Sequence, residues 1–316
     1  LLTNTKDLHI VNIFDKVFTG GESFDEIKNY LLSQNSQKEL LNILPQNLIE
    51  RINYKKPYPL LRHHFGRPSF NETLEGIKII DYGDILPGPG TVEENMDIIH
   101  DGFKEILKGN VFPVTIGGDH SITFPIVKAF GDIPIDIIHF DTHLDFKDAV
   151  KEEGIIYSHA SPIRRISELK NINKITQIGI RGLQNGFTVY EDAKKYGLNI
   201  ITAEEAIENG SEWTLNRIPS GKNIYVTIDI DVMDPSVAPG TGLYEPGGFN
   251  YHQLKKLLKG LSKKGNIIGF DLVEVNPQYD HSEVTAQLAG RIILDFLGMI
   301  LEAKKETGKG IVYFEK

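Results

Sequence analysis

Apolar and polar positions follow two regimes along the chain. Residues 1–75 are mostly polar, with helical spacing of apolar residues at 24–33 and 38–52 and an extended apolar stretch at 8–14. Lys56-Pro57-Tyr58-Pro59 reads as a loop. From Ile77 onward, short β-rich runs alternate with amphipathic segments. The runs at 77–81, 113–116, 135–140, 174–180, 199–201, 223–228 and 266–273 are nearly continuous in apolar residues. Strands buried on both faces of a parallel sheet have that character. Helical spacing fits between them at 92–108, 122–130, 187–196, 252–263 and 283–302, and Thr91 followed by Glu94 is a capping-box start for the first. The pattern predicts one α/β domain over residues 76–316: three α/β/α layers around a mostly parallel sheet. Residues 1–75 are expected to form an amino-terminal helical extension packed on that core.

Composition narrows the picture. The 316 residues include 40% hydrophobic ones, enough for a sizeable core. The 43 acidic against 34 basic side chains leave a net charge of −9, which argues against non-specific binding to nucleic acid or anionic membranes and is compatible with a cationic substrate. No uninterrupted apolar run approaches the roughly 18 residues of a membrane span. The absence of cysteine excludes disulfides, thiolate metal sites and cysteine nucleophiles.

The candidate chemistry sits at three strand ends, where ligands gather in open α/β sheets. One strand runs into Gly117-Gly118-Asp119-His120-Ser121, another into Asp141-Thr142-His143-Leu144-Asp145, a third into Asp229-Ile230-Asp231-Val232-Met233-Asp234-Pro235. In extended chain, residues i and i+2 face the same side, which pairs Asp141 with His143 and Asp229 with Asp231. Asp145 can return to the same pocket once its strand breaks, and Gly117 and Gly118 permit the turn that presents His120. Each cluster alone has a plainer reading: Asp-x-Asp is commonly a turn or cap, Asp119 can cap the next helix, and His139 reads as a core histidine or one supporting a ligand. Together they offer two imidazoles and four carboxylates. That is too many acids for a catalytic zinc with three protein ligands, and it suits a pair of divalent cations, manganese foremost.

These three blocks, with Ser236-Val237-Ala238-Pro239-Gly240 following the third, resemble the signatures of the ureohydrolase family of arginases, agmatinases and related guanidino-acid hydrolases. The resemblance runs from about Asp81 to Leu297. It implies an arginase-like fold, two Mn²⁺ per chain and a homo-oligomer, trimeric or hexameric, in the cytoplasm. It also implies that His120, Asp141, Asp145 and Asp229 hold one ion and Asp141, His143, Asp229 and Asp231 the other, with Asp141 and Asp229 bridging. Two further family positions are His159 in Tyr157-Ser158-His159-Ala160-Ser161-Pro162 and Glu274 in Leu272-Val273-Glu274-Val275-Asn276-Pro277.

Several positions depart from the family pattern. Thr142 stands where alanine is usual, Ala160-Ser161-Pro162-Ile163 where Gly-Thr-Pro-Phe is expected, and Leu243-Tyr244 where Thr-Pro follows the glycines. The family's amino-terminal glycine-rich loop has its nearest remnants at 12–21 or 62–68.

The reaction implied is attack of a hydroxide held between the two ions on a guanidino carbon, releasing urea and an amine. Glu274 would pair with the guanidinium and His159 would pass a proton to the leaving amine. Agmatine, giving putrescine and urea, is the expected substrate, because 146–151 lacks the asparagine with which arginases recognise an α-amino acid. Guanidinobutyrate, guanidinopropionate and arginine are the alternatives, and Lys147 would suit a carboxylate-bearing one. Asp234 reads as capping the Pro235 turn, and Arg164 and Arg165 as solvated or intersubunit residues. A zinc deacetylase of the same fold would bind one zinc with fewer acids, and a non-enzymatic homologue would have lost ligands.

Overall fold

The computed structural model describes residues 7–13, 78–86, 88–148, 155–221 and 223–306. The helices expected at 24–33 and 38–52 and the loop at 56–59 lie outside the described residues. Eight strands form one sheet: β1 (Asp7–Ile13), β2 (Lys78–Ile85), β3 (Phe112–Ile116), β4 (Ile135–Phe140), β5 (Ile172–Ile180), β6 (Asn199–Thr202), β7 (Asn223–Asp229) and β8 (Asn266–Val273). Every neighbouring pair is parallel, in the order β2-β1-β3-β8-β7-β4-β5-β6. The extended stretch near the amino terminus is thus a strand inside the sheet, between β2 and β3. The chain ahead of residue 76 therefore supplies part of the domain itself.

Seven helices occur among the described residues: α1 (Val92–Lys108), α2 (Thr123–Ala129), α3 (Pro162–Ser167), α4 (Phe187–Lys195), α5 (Ala203–Arg217), α6 (Tyr251–Leu261) and α7 (Val284–Glu306). The sequence pattern anticipates five of these and leaves out α3 and α5. Two apolar clusters divide them between the sheet's faces. Ile99, Phe103 and Ile106 of α1, Ile126 of α2, Ile163 of α3 and Ala193 of α4 pack with Ile137 and Tyr225. Ala206 of α5, Leu254 and Leu258 of α6 and Ile293 of α7 pack on the opposite face with Ile138, Val226 and Phe270. Strand residues of alternate parity feed alternate faces, which is why the strands read as continuous apolar runs. The capping box at Thr91 and Glu94 forms as expected, joined by others at Thr202–Glu205 and Asn250–Gln253.

Helix α7 is long and apolar enough to cross a membrane, but 78% of its most apolar window is buried inside the protein, so it serves as a core helix. The strands β3, β8, β7 and β4 lie side by side in the sheet, and their carboxyl ends open onto the same edge. That edge carries the three acidic blocks.

Candidate metal centre

The cage is built from backbone geometry outward. β3 ends at Ile116, and after Gly117-Gly118 a single 3₁₀ turn, His120–Ile122, starts with Asp119 as its cap, Oδ1 accepting from Ser121 N at 2.9 Å. His120 is thereby brought in over β7 and β4. Its Nδ1 lies 3.1 Å from Asp141 Oδ2 and 3.2 Å from both Asp145 Oδ2 and Asp229 Oδ2. Asp145 reaches back because its backbone turns left-handed, with φ 48°, uncommon for a residue with a side chain. Asp229 ends β7 and caps the next 3₁₀ turn through Asp231 N at 2.8 Å. Asp231 Oδ2 then sits 2.9 Å from His143 Nδ1, which is 3.5 Å from Asp141 Oδ1. All six residues named from the sequence as ligands therefore converge on one pocket, with His120, Asp141, Asp145, Asp229 and Asp231 buried and His143 partly so.

Two arms of donors share Asp141: one set is His120, His139, Asp141 and Asp145, the other Asp141, His143 and Asp231. His139 fits this cluster by proximity, its Nε2 lying 2.7 Å from Asp141 Oδ2. Its Nδ1, however, accepts from Gln177 Nε2 at 3.0 Å, so its proton is on Nε2 and it donates to Asp141 rather than offering a lone pair. Asp229, level with the first set through His120, completes the carboxylate ring.

The electrostatics show what the pocket demands. Burial pushes the Asp229 carboxyl well up, and the charges on Asp231 and Asp141 add to it. Burial and Asp141 likewise push Asp231 up to about 7. Burial opposes charge on His120 and His143, yet the hydrogen bonds they donate to their carboxylate partners push both imidazoles up, His143 to about 11. The protein thus gathers more negative charge here than its own cations offset. The donors are oxygen and imidazole nitrogen only, and the buried Nε2 of His143 has no hydrogen-bond partner among the described residues. Such a set fits divalent cations of intermediate hardness.

Comparison with known proteins follows the same blocks. The family model described as Arginase family matches residues 56–298. The chain belongs to the arginase family. It is 38% identical over 234 residues to an agmatinase of Bacillus subtilis (strain 168), covering 73% of this chain and 78% of that protein. To a guanidinopropionase of Pseudomonas aeruginosa it is 33% identical over 249 residues, 76% of each. Among solved structures, proclavaminate amidino hydrolase from Streptomyces clavuligerus superposes with a TM-score of 0.72 at 28% identity, covering 94% of this chain and 92% of that one. Arginase-family membership makes this chain a hydrolase acting on C–N bonds of amidines, a ureohydrolase of guanidino compounds.

In this arginase-family chain Glu274 follows β8 in a left-handed backbone conformation, φ 65°, its amide bonded to Gly118 O at 2.9 Å. Its Oε1 accepts from His120 N at 2.8 Å, which seats the carboxylate beside the cage. Burial, and then the charge on Asp119, push its carboxyl up to about 8. His159 occupies an exposed turn and makes no hydrogen bond to the cage among the described residues. Its turn is tied through Ser161 Oγ, which accepts from Ser158 N at 2.9 Å.

Other sequence readings resolve locally. Asp234 does hold the turn at Pro235, accepting from Ser236 N at 3.0 Å, and it also holds Gly247 N at 2.8 Å. Of the two expectations for Arg164 and Arg165, solvated or intersubunit, the first does not hold: both side chains are largely covered within the chain. Arg165 donates to Asp148 Oδ1 at 2.6 Å, and Arg164 bonds Glu168 at 3.1 Å and stacks 4.3 Å over the Tyr196 ring. Lys147 is exposed.

Three residues unmarked by the sequence reading hold the cage loops. Asn185 Oδ1 accepts from Leu144 N at 2.8 Å while its amide donates to Thr142 O at 2.9 Å, bracing the 142–144 loop. Arg181 donates to the carbonyls of Asp231 and Glu245, both at 2.8 Å, and of Met233 at 3.1 Å. Gly179, at φ 109°, lets β5 pass against the cage: a Cβ there would meet the Asp141 carbonyl at 2.8 Å.

Proposed function

We propose that this ureohydrolase holds two Mn²⁺ per chain and hydrolyses agmatine to putrescine and urea. The observation that carries the reading is the convergence of His120, Asp141, His143, Asp145, Asp229 and Asp231 on one buried pocket with Glu274 beside it. His120, Asp141, Asp145 and Asp229 would hold one ion and Asp141, His143, Asp229 and Asp231 the other. Bound together, the ions would lower the pKa of water and supply a nucleophile near neutral pH.

The chain's own residues do the rest. Glu274 pairs with the guanidinium, and the cation draws its raised carboxyl toward the ionised form. The buried cage walls keep bulk water out of the carboxylate cluster and preserve its field. His159 carries a proton to the departing amine as the guanidino C–N bond breaks and the new C–O bond forms. The chain works as a homo-oligomer.

The agmatine reading is supported by agmatinase relatives from two Bacillus species at 36–38% identity. The guanidinopropionase relative makes a carboxylate-bearing substrate the second reading, with exposed Lys147 as the cation available to it. Urea release by the Mn²⁺-loaded protein is measured on agmatine, arginine, guanidinobutyrate and guanidinopropionate. Agmatine is expected to give the highest kcat/KM, and a preference for guanidinopropionate would overturn the substrate reading. Asp229→Asn should abolish urea release and sharply weaken manganese binding; near-full activity would overturn the ligand assignment.

A further inference from the structure

One residue pair below the cage, the sheet carries an in-register polar row. Thr115 of β3 pairs with Asp271 of β8, Asp271 with Thr227 of β7, Thr227 with His139 of β4, and His139 with Gln177 of β5. All five are completely buried. They lie beneath the strand ends that carry the proposed ligands, so the reaction itself does not need them to touch the substrate.

Their hydrogen bonds have a direction. Asp271 is an acceptor-only carboxylate at one end: Tyr225 OH donates to its Oδ2 at 2.8 Å, Thr123 Oγ1 of α2 to the same oxygen at 3.1 Å, and Thr227 Oγ1 to its Oδ1. Thr227 has spent its one proton on Asp271, so it can only accept from His120 Nε2, 2.8 Å away. His120 then carries a proton on Nε2, which leaves Nδ1 as the nitrogen that a cation in the pocket would take. At the other end, Leu144 O takes one amide proton of Gln177 at 2.6 Å, which orients the amide. The second amide proton goes to His139 Nδ1, so His139 donates from Nε2 to Asp141 Oδ2.

We propose that the buried row Asp271–Thr227–His139–Gln177 is a positioning layer, fixing which nitrogen of His120 and which face of Asp141 are presented to the ion they share. Metal-ligating imidazoles commonly depend on such a partner for their second nitrogen. The inference rests on the two-metal reading above, and its test separates the two.

Metal-free full-length protein is titrated with Mn²⁺ and the free ion followed by electron paramagnetic resonance, with melting curves recorded on the same samples. Wild type is expected to take up two ions. Thr227→Val is isosteric but cannot accept from His120, and it should weaken one of the two ions roughly ten- to a hundredfold. Thr227→Ser, which restores the hydroxyl, should return to within about threefold of wild type. Gln177→Leu, which frees the His139 ring, should weaken binding in the same direction as Thr227→Val.

A folded Thr227→Val that binds both ions with wild-type affinity overturns the positioning layer alone. So does equal weakening by Thr227→Val and Thr227→Ser, since packing and not the hydroxyl would then be responsible. If Thr227→Val does not fold, Gln177→Leu decides the matter, and unchanged Mn²⁺ affinity there overturns the proposal. A wild-type chain that takes up no Mn²⁺ overturns the metal reading, and the layer with it.

Discussion

Arg181 offers the most direct test of how the candidate site is held. Its guanidinium donates from Nη2 to Asp231 O, Glu245 O and Met233 O, from Nε to Pro246 O at 3.1 Å, and from Nη1 to Gly179 O at 3.2 Å. The acceptors belong to the end of β5, the turn that carries Asp231 and the loop at 245–246. One side chain therefore ties together three segments at this edge, adding to the bridge between Met233 and Phe249 and the bond from Leu183 N to Glu245 Oε1. Removing it in Arg181→Ala strands several carbonyls. Hydrogen bonds from a charged donor contribute about 1.5–3 kcal/mol each. They are not additive, and water can reach part of this half-buried group, so the expected net loss is about 2–4 kcal/mol. At 2–4 °C per kcal/mol for a domain of this size, the melting temperature should fall by roughly 5–15 °C. Arg181→Lys should recover less than half of that, because one ammonium cannot span acceptors on three segments as a planar fork does. Thermal unfolding with and without Mn²⁺ measures both effects, and manganese uptake should weaken as the Asp231 turn loosens. A melting temperature within about 2 °C of wild type in Arg181→Ala, or full rescue by lysine, would refute the clamp.

Three further expectations follow from particular contacts. His159→Ala should keep its manganese but lose about a hundredfold or more in kcat; an unchanged rate in urea assays removes His159 as the proton carrier. Gly179→Ala puts a Cβ 2.6 Å from Val232 Cγ2 and 2.8 Å from the Asp141 carbonyl at φ 109°. It should cost about 3 kcal/mol in urea denaturation, and a neutral result would show that β5 can retreat from the cage. Burial lowers Lys304 from 10.5 to about 8. A lysine whose folded pKa is depressed carries a penalty that is complete below pH 8 and relieved as pH rises from 8 toward 10.5, about 3 kcal/mol in all. Lys304→Met should therefore be the more stable protein at pH 7, less whatever the bond from Lys304 Nζ to Ile267 O contributes. That advantage should shrink through this window in paired melting curves, and a constant difference between pH 7 and 10.5 would contradict it.

The parts of the architecture that were legible in the sequence are those encoded locally. β4 and β8 occur with the boundaries their apolar runs predict, because a strand buried on both faces writes its burial into consecutive residues. The convergence of the six candidate residues was legible for a related reason: carboxylates and imidazoles placed i, i+2 just past an apolar run share one side of a buried strand end. Other elements left no such mark. α5 spans Ala203–Arg217 but breaks at Gly210, φ 81°, and buries only Ala203, Ala206 and Thr214, so its periodicity is weak. α3 is a six-residue helix begun by Pro162, shorter than a periodicity can show. β1 was visible as an extended stretch, but its insertion between β2 and β3 depends on a pairing that no local pattern specifies. The supports of the cage are hidden most completely. Arg181 meets Glu245 and Asn185 meets Thr142 only after folding, and neither residue type is unusual where it stands.

Strand order explains why so few residues suffice to build the site. In sequence the acidic blocks follow β3, β4 and β7, and Glu274 follows β8, so they are scattered over more than 150 residues. In the sheet those same strands are consecutive, β3-β8-β7-β4, and all run parallel, so their carboxyl ends fall on one short stretch of edge. Of the six proposed ligands the end of β3 brings one, β4 three and β7 two, and β8 brings Glu274 beside them. The register then sets the vertical spacing: Asp229 pairs with Val273, and two residues earlier Thr227 pairs with Asp271. A ligand level is thereby stacked on a hydrogen-bonding level at the pleat repeat of two residues. A one-residue slip of β8 against β7 would turn Asp271 to the opposite, apolar face and displace Glu274 from His120 N at the same time. The hydrogen bonds of the buried Asp271 carboxyl are thus satisfied in one register only, the same register that places Glu274 beside His120 N.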